Sequence, residues 1–265
     1  MATVAFIGTG NMGGAILRAV CERVDANKVF ISNRSFEKSA ALAAELGCEA
    51  CGNNIDCARN ADIVFIGVKP WQVREVLAEI APEIGPDALV VSMAAGVDSA
   101  AMTGALGGRG QTVRILPNTP CAIGSGLMLI VPCGDVDKDA LKKLEDILSG
   151  CGMVAYTDEA HADVGMTIGG CTPAFTYMFI EALADGAVAS GLPRKEALEW
   201  AAQAVRGAAD MVIQSGKHPG QLKDEVCSPG GSTIQGVRTL EEHGLRAAAM
   251  DAVIRAFEKN GSLGK

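Results

Sequence analysis

Three glycines close to the start of the chain, Gly8, Gly10 and Gly13, are spaced as G-x-G-x-x-G. In such a pattern the first glycine permits a tight turn, the second lets the backbone approach a pyrophosphate, and the third allows close packing of helix on strand. Unpaired N–H groups at the start of a following helix would bind the diphosphate, because the helix dipole favours negative charge there. The spacing therefore indicates a phosphate-binding turn. Its residues are Gly8, Thr9, Gly10, Asn11, Met12 and Gly13.

The segments on either side of this turn have the pattern that a dinucleotide site needs. Val4, Phe6 and Ile7 belong to a short apolar run typical of a buried parallel strand, and from Met12 onward the apolar residues have helical spacing. A strand before the glycines and a helix after them predict a dinucleotide-binding unit. The alternative is a glycine-rich strand–helix turn that binds nothing.

The end of the second predicted strand, Lys28 to Ser32, bears on which dinucleotide is bound. Sites for NAD commonly carry an Asp or Glu here, which bonds the ribose 2′-hydroxyl. This chain has Asn33, Arg34 and Ser35 instead, and a guanidinium with two small polar side chains can hold a 2′-phosphate. The pattern favours NADP, with NADPH preferred over NADH. In the alternative interpretation, Ser35 only caps the following helix and Arg34 is solvated.

Strands and helices alternate up to about residue 156, which predicts an α/β Rossmann-type fold with a doubly wound parallel sheet. Ligands bind outside the carboxyl ends of such strands, so we expect the segments that leave those ends to meet in one crevice. These segments are Gly8–Gly13, Asn33–Ser35, Gly67–Pro70, Ala94–Gly96 and Pro117–Pro120. The additional cofactor contacts predicted within them are Val68, Lys69, Pro70, Ala94, Ala95 and Gly96.

Composition and charge argue against several classes of function. The 265 residues carry a formal net charge of −8, so binding to nucleic acid or to an anionic membrane surface is not expected. The uncharged stretch from Ile115 to Gly134 contains three prolines, which argues against a membrane-spanning helix. The chain shows no basic segment followed by an apolar leader, and this predicts a cytoplasmic protein.

The nine cysteines, in a chain without a secretory signal, are typical of reduced thiols in a cytoplasm. Cys48 and Cys51 have C-x-x-C spacing, with Cys57 nearby. The chain has only three histidines that could complete a metal site, and none is adjacent in sequence. We therefore expect ordinary free cysteines rather than a metal or redox site, and no bound metal.

Beyond residue 157 the pattern changes to helices broken by glycine and proline. Two domains are predicted: residues 1–157 bind the dinucleotide, and residues 158–265 form a helical domain. The run from Ala174 to Ser190 is apolar nearly all round, so it must be covered on every side. A domain of this size can hardly cover such a helix alone, which predicts that it forms a homodimer.

Five stretches of the sequence resemble, in the same order, those of the pyrroline-5-carboxylate reductase family, and the likeness covers nearly the whole chain. They are Val68–Pro70, Ala94–Val97, Pro117–Pro120, His218–Asp224 and Ser228–Ile234. The resemblance implies NAD(P)H-dependent reduction of 1-pyrroline-5-carboxylate, a cyclic imine carboxylate, to L-proline in the last step of proline biosynthesis. It also implies an N-terminal Rossmann domain and a C-terminal helical dimerisation domain, often assembled into decamers.

The resemblance places the substrate at the turn before the predicted helix that starts near Thr233. Consecutive N–H groups of Gly230, Gly231 and Ser232 are expected to bind the substrate carboxylate. The Thr233 hydroxyl would lie beside the ring nitrogen, and since threonine is a poor acid we expect it to orient the substrate rather than supply a proton. An imine that binds already protonated accepts hydride once the nicotinamide is positioned over it. Alternatively, Ser232 and Thr233 only cap a helix.

Further cofactor contacts are implied by the same resemblance. They are Asn54 at the ribose, Lys69 and Pro70 along the crevice, and Asn118 and Thr119 beside the nicotinamide. Without the resemblance, Lys69 is better interpreted as a solvated or phosphate-facing lysine than as a catalyst.

One departure from the family lies before the long apolar helix. The family usually carries Ser-Gly-Ser-Gly-Pro-Ala-Tyr next to the substrate, and this chain carries Gly169-Gly170-Cys171-Thr172-Pro173-Ala174-Phe175. We expect the turn to be retained, the helix to begin at Ala174, and Cys171 and Thr172 to contact the substrate. Cys171 is expected to be a packed small residue rather than a nucleophile. The changes could shift the preferred substrate toward a six-membered cyclic imine acid.

Two rival functions belong to other classes. A 3-hydroxyacid dehydrogenase would use a lysine of the second domain as acid and base, for which Lys223 is the candidate. A nonenzymatic NADP(H)-binding regulator would have lost turnover through the changed 169–175 segment. Substitution of Lys223 by alanine separates the first rival, because a dehydrogenase would lose its chemistry.

Overall fold

A computed structural model describes residues 2–94 and 96–263. Within these ranges the strands are β1 (Val4–Ile7), β2 (Val29–Ser32), β3 (Glu49–Ala50), β4 (Ile63–Ile66), β5 (Leu89–Ser92), β6 (Gln111–Leu116), β7 (Gly126–Cys133) and β8 (Gly152–Tyr156). The helices are α1 (Asn11–Cys21), α2 (Phe36–Leu46), α3 (Asn54–Ala58), α4 (Val73–Ile80), α5 (Ser99–Ala105), α6 (Lys138–Leu148), α7 (Glu159–Ala189), α8 (Arg194–Ser215), α9 (Pro219–Val226), α10 (Ser232–Glu242) and α11 (Leu245–Leu263).

The eight described strands form one sheet in the order β3-β2-β1-β4-β5-β6-β7-β8. All neighbours are parallel except β6 and β7, which are antiparallel. The predicted doubly wound α/β fold is confirmed, and the antiparallel pair is a local departure from the all-parallel expectation. Its cause is chain length, because residues 117–125 are too few for the crossover helix that a parallel connection requires. The strand order reverses between β1 and β4, which is where such folds bind ligands.

Apolar side chains cover both faces of this sheet. Val4 and Phe6 of β1 lie in one buried cluster, whereas Ala5 and Ile7 lie in the other. The ring of Phe6 stacks on that of Phe65 in β4, with centroids 4.5 Å apart. Because β1 and β4 are buried on both faces, packing fixes their positions. The ends of the loops that follow them are therefore also held in place.

Two compact units divide the chain, one running to Gly170 and including the end of the chain from Lys259, the other spanning Cys171–Glu258. The unit boundary lies inside α7, which begins at Glu159. The division at 157/158 expected from the sequence stays a prediction. In the described part of the chain, no strand follows Tyr156, as the sequence pattern indicates.

The expected turn at Gly169–Phe175 is wrong, because α7 runs without interruption from Glu159 to Ala189 with Pro173 inside it. A proline has no N–H to donate to the carbonyl four residues earlier, which here belongs to Gly169. The side chain of Asn118 supplies the missing donor, with Nδ2 lying 3.0 Å from that carbonyl oxygen. The helix therefore continues, and Cys171 and Thr172 lie on its surface rather than in a loop.

Large apolar side chains are exposed on the helices of the second unit. Among them are Tyr177, Met178 and Phe179 of α7, Trp200, Met211 and Ile213 of α8, and Met250, Ile254 and Phe257 of α11. Tyr177 is 61% exposed and Ile213 75%. A surface with this much exposed apolar area marks an interaction site, in agreement with the predicted self-association.

Candidate cofactor-binding site

The glycine turn after β1 is built as its spacing predicts. Gly8 has a φ of +88°, a conformation that side chains disfavour. Gly10 is the N-cap residue of α1 and has no side chain to cap the helix. A Cβ at Gly10 would meet nothing within 4 Å. The start of α1 is therefore open to a ligand and offers backbone N–H groups to an anion.

Gly13 is required by the close packing of the turn on the sheet. A Cβ at Gly13 would lie 2.5 Å from the carbonyl oxygen of Gly8, and one at Gly67 would lie 2.1 Å from the same oxygen. The end of β4 thus takes part in the turn through Gly67. The contacts among Gly8, Gly13 and Gly67 are between backbone atoms. Movement of a flexible side chain therefore cannot make room for a larger residue at these positions.

A cleft of about 1230 Å³ opens over this turn. Thirteen of the predicted cofactor residues line it: Gly8, Thr9, Gly10, Asn11, Met12, Gly13, Asn33, Arg34, Ser35, Val68, Lys69, Pro70 and Ala94. Asn54 lines a second pocket of about 330 Å³, which shares Gly8, Asn33, Arg34, Val68 and Gln72 with the cleft. A cleft of this volume, with an open helix N-terminus and glycines in its lining, fits a dinucleotide.

Four predicted cofactor residues are placed in neither the cleft nor the second pocket. Ala95 lies outside the described residues, and Gly96, Asn118 and Thr119 are absent from the described lining. The Asn118 side chain links two other segments of the chain. Its Oδ1 accepts from the N–H of Leu127 at 2.9 Å, and its Nδ2 donates to the Gly169 carbonyl oxygen. Contacts of Gly96, Asn118 and Thr119 with a nicotinamide stay a prediction.

Several lining residues were not predicted individually. They are Gly14, Ala15, Arg18, Lys38, Leu42, Gly67, Gln72, Met93 and Ala122. Gly67 belongs to a segment that the sequence did point to. The signal for Lys38 was its place at the start of α2, just after the Asn33–Ser35 segment that the sequence points to.

Positive charge gathers at the edge of the cleft next to β2. Within the described ranges, the side chains of Arg34, Lys38 and Lys69 have no hydrogen-bond or ion-pair partner, whereas that of Arg18 is paired with Glu45. Arg34 and Lys38 are both exposed. Two unpaired cations that line the same cleft, four residues apart in the sequence, are suited to a phosphate group.

The small polar residues beside Arg34 are engaged with the protein. Asn33 holds the glycine turn, since its Oδ1 accepts from the Thr9 N–H at 2.7 Å and its Nδ2 donates to the Thr9 hydroxyl at 2.7 Å. Ser35 occupies the N-cap position of α2, yet its hydroxyl donates to Glu37 at 2.7 Å and makes no capping bond. That hydrogen bond from Ser35 lowers the pKa of the Glu37 carboxyl. The expectation that Ser35 caps the helix is correct in position but not in hydrogen bonding.

A second candidate anion site lies at the start of α10. Gly230 has a φ of +69°, and Gly231 is the N-cap residue without a side-chain capping bond. A Cβ at Gly231 would lie 2.4 Å from the Ser228 hydroxyl, which can rotate away, and 3.2 Å from the Ser228 carbonyl oxygen. Ser232 and Thr233 are exposed at the first turn of the helix, which carries no acidic residue. The geometry suits a carboxylate.

The rival acid–base residue, Lys223, is badly placed for proton transfer at neutral pH. Its ammonium donates to the Asp224 carboxylate, and this hydrogen bond raises the pKa of Lys223 above its ordinary value. A catalytic lysine needs the opposite shift.

Among the described residues, no three His, Cys, Asp or Glu side chains are grouped so that they could hold a metal ion. None of the described helices combines the length and apolar character that crossing a bilayer requires.

Known proteins match both parts of the chain. Residues 159–263 match the family model described as pyrroline-5-carboxylate reductase dimerisation, and residues 3–96 match that described as NADP oxidoreductase coenzyme F420-dependent. The pyrroline-5-carboxylate reductase of Escherichia coli is 40% identical over 264 residues, which cover 99% of this chain and 98% of that protein. The enzyme of the same name from Pisum sativum is 35% identical, covering 98% of this chain and 96% of that protein.

Solved structures agree over the full length. A pyrroline-5-carboxylate reductase from Coxiella burnetii superposes with a TM-score of 0.93 at 31% identity, covering 100% of this chain and 99% of that chain. A Plasmodium falciparum pyrroline carboxylate reductase with NADP bound has a TM-score of 0.86 at 30% identity, covering 100% of this chain and 98% of that chain.

Proposed function

This chain belongs to the pyrroline-5-carboxylate reductase family, and we infer that it reduces 1-pyrroline-5-carboxylate to L-proline with NAD(P)H, the last step of proline biosynthesis. Full-length identity of 40% to the Escherichia coli enzyme is the observation that carries this function. The cofactor, when bound, supplies the hydride from its nicotinamide ring.

We propose that the start of α1 binds the cofactor diphosphate through its backbone N–H groups. The open N-cap at Gly10 and the clash that any side chain at Gly13 would cause support this role. Arg34 and Lys38 take the 2′-phosphate of NADP, and Asn54 takes the adenosine ribose. The charge of the two unpaired cations supports NADP as the preferred dinucleotide, with NADPH favoured over NADH.

The substrate carboxylate is proposed to bind at the N-terminus of α10. There the turn at Gly230 and Gly231 leaves backbone donors open, and the exposed Ser232 adds a hydroxyl. The Thr233 hydroxyl bonds the ring nitrogen and orients a substrate that arrives protonated, so no protein acid is needed. Cys171 and Thr172, on the surface of α7, are proposed to contact the substrate.

The function is tested by following NADPH oxidation at 340 nm with 1-pyrroline-5-carboxylate, beside its six-membered analogue. Turnover of the five-membered ring is expected. Turnover of the larger ring alone would mean that Cys171 and Thr172 have changed the substrate preference. NADPH binding without any turnover would support the nonenzymatic regulator instead.

Cofactor preference is tested by replacing Arg34 with alanine. Because a charge-assisted bond to the 2′-phosphate is lost, kcat/KM for NADPH should fall by about 10- to 100-fold, whereas that for NADH should stay within about twofold. Steady-state kinetics with both cofactors measure the ratio. Arg74→Ala, on α4 and outside the described cleft lining, is the matched control for loss of a surface charge. An equal loss with both cofactors would contradict the role of Arg34.

Self-association through residues 159–263 follows from the match to a dimerisation model, and we propose that the dimers assemble into decamers. Light scattering at micromolar protein is expected to give the mass of ten 27.3 kDa chains. The mass of a single chain would contradict both levels of assembly, and that of two chains would contradict the decamer.

We further propose that the protein works in the cytoplasm, which its nine free cysteines support.

A further inference from the structure

Three polar side chains from three elements meet in the pocket of about 330 Å³ beside Arg34. Ser32 ends β2, Asn54 begins α3, and Glu79 lies in the last turn of α4. The Asn54 amide bonds both of the others, because its Oδ1 accepts from the Ser32 hydroxyl at 2.9 Å and its Nδ2 donates to the Glu79 carboxylate at 2.8 Å. The three side chains therefore form one chain of hydrogen bonds with Asn54 in the middle.

The fold holds each member of this chain in place. Ser32 is 1% exposed, and its carbonyl accepts from the N–H of Gly8 at 2.8 Å, which ties it to the glycine turn. The side chain of Asn53 caps α3, and this cap fixes the backbone at Asn54. Glu79 belongs to a helix whose apolar face is buried. The positions of the three residues are thus set by the protein before a ligand arrives.

Of the two partners, Glu79 decides which way the Asn54 amide is turned. The two ends of an amide are nearly equal in shape, and the Ser32 hydroxyl can either donate or accept, so Ser32 tolerates both orientations. An ionised carboxylate only accepts. The Asn54 nitrogen must therefore face Glu79, and the oxygen must face Ser32.

This orientation leaves hydrogen-bonding groups of Asn54 for a ligand. The nitrogen carries two hydrogens, of which Glu79 takes one, and the oxygen has two lone pairs, of which Ser32 takes one. A ligand in the pocket can therefore meet one donor and one acceptor on the same side chain. Ribose hydroxyls both donate and accept, so they fit this pair of groups.

We propose that Glu79 is a positioning residue of the cofactor site, because its carboxylate orients the Asn54 amide and that amide binds the adenosine ribose. The proposal rests on the ribose contact of Asn54 proposed above. Since the adenosine ribose belongs to NADPH and NADH alike, loss of Glu79 weakens the binding of both cofactors. In this it differs from Arg34, whose loss weakens the binding of NADPH alone.

Titration of the full-length protein with NADPH and with NADH, followed by cofactor fluorescence, tests the proposal. Removal of a carboxylate would by charge alone strengthen the binding of an anionic cofactor. Glu79→Leu is instead expected to raise both Kd values by about three- to tenfold, the loss expected for one hydrogen bond. Glu79→Gln loses the same charge but keeps an acceptor oxygen at the same length, so it should recover most of the affinity. An unchanged or lower Kd for Glu79→Leu, or equal losses for the two variants, would overturn the proposal.

Glu83→Leu is the matched control for loss of a carboxylate that contacts α3. The Glu83 carboxylate accepts from Nε of Arg59 at 3.2 Å, at the opposite end of α3 from Asn54. Glu83 lies outside the described lining of both pockets. Its replacement should therefore leave both Kd values within about twofold, as expected for an exposed position. Equal losses for Glu79→Leu and Glu83→Leu would mean that α3 as a whole had moved, and the specific role of Glu79 would be overturned.

A double-mutant cycle with Asn54→Ala tests whether Glu79 acts through Asn54. Asn54→Ala alone should raise both Kd values, and adding Glu79→Leu to it should raise them no further. Additive losses would overturn the proposal. An unchanged Kd for Asn54→Ala would overturn the ribose contact of the proposed function, whereas a loss with Asn54→Ala and none with Glu79→Leu would overturn the positioning role alone.

Discussion

Replacement of Gly13 by alanine is expected to abolish cofactor binding and to lower the thermal midpoint of unfolding. The added Cβ would lie 2.5 Å from the Gly8 carbonyl oxygen, and both groups are backbone. Overpacking of this kind costs roughly 1–3 kcal/mol, and the displaced turn would no longer present its N–H groups correctly. Loss of two such hydrogen bonds to the charged diphosphate, at about 1.5–3 kcal/mol each, raises the Kd for NADPH by more than about 100-fold. Titration with NADPH and a thermal melt measure the two effects.

Gly104→Ala is the matched control for this experiment. Gly104 lies within α5, and a Cβ there would meet nothing within 4 Å. Because alanine is favoured over glycine in a helix by about 1 kcal/mol, the thermal midpoint should rise slightly while the Kd for NADPH stays the same. Normal cofactor binding by the Gly13 variant would contradict the role given to the turn.

Thr233→Val is expected to lower kcat/KM for the imine by about 10- to 100-fold, since a hydrogen bond to a charged group contributes about 1.5–3 kcal/mol. Valine keeps the branched shape and the backbone N–H, so only the hydroxyl is removed. The Kd for NADPH should not change. Steady-state kinetics with varied imine, together with a cofactor titration, separate the two effects.

Two further variants serve as controls for the Thr233→Val experiment. Thr233→Ser retains a hydroxyl and should recover most of the activity. Thr239→Val removes a hydroxyl from the same helix, where Oγ1 donates to the Gln235 carbonyl at 3.1 Å, and should leave kcat/KM nearly unchanged. Equal losses for Thr233→Val and Thr239→Val would mean that the helix, rather than the reaction, had been disturbed.

The features that sequence reasoning predicted are those governed by local rules. The glycine turn at Gly8–Gly13 follows from a strand end, a positive φ and a helix start, all within a few residues. The open turn before α10 follows in the same way from Gly230 and Gly231. The family resemblance added the substrate expected at the turn before α10, which the glycine pattern alone does not specify.

The features that sequence reasoning missed depend on contacts distant in the chain. Gly67 must be a glycine because the Gly8 carbonyl lies against it, and nothing near Gly67 in sequence indicates this. Pro173 usually ends a helix, but Asn118 satisfies the carbonyl that it leaves unpaired.

The exposed apolar residues of the second unit make the stability of this protein a matter of mass action. Side chains such as Met178 and Trp200 are 69% and 62% exposed in the single chain, so association can bury apolar area that folding alone leaves in water. Association stabilises the folded form by an amount that grows with the logarithm of protein concentration. A dilute solution and a concentrated one therefore contain proteins of different stability, and a melting temperature describes this molecule only when the chain concentration is stated with it.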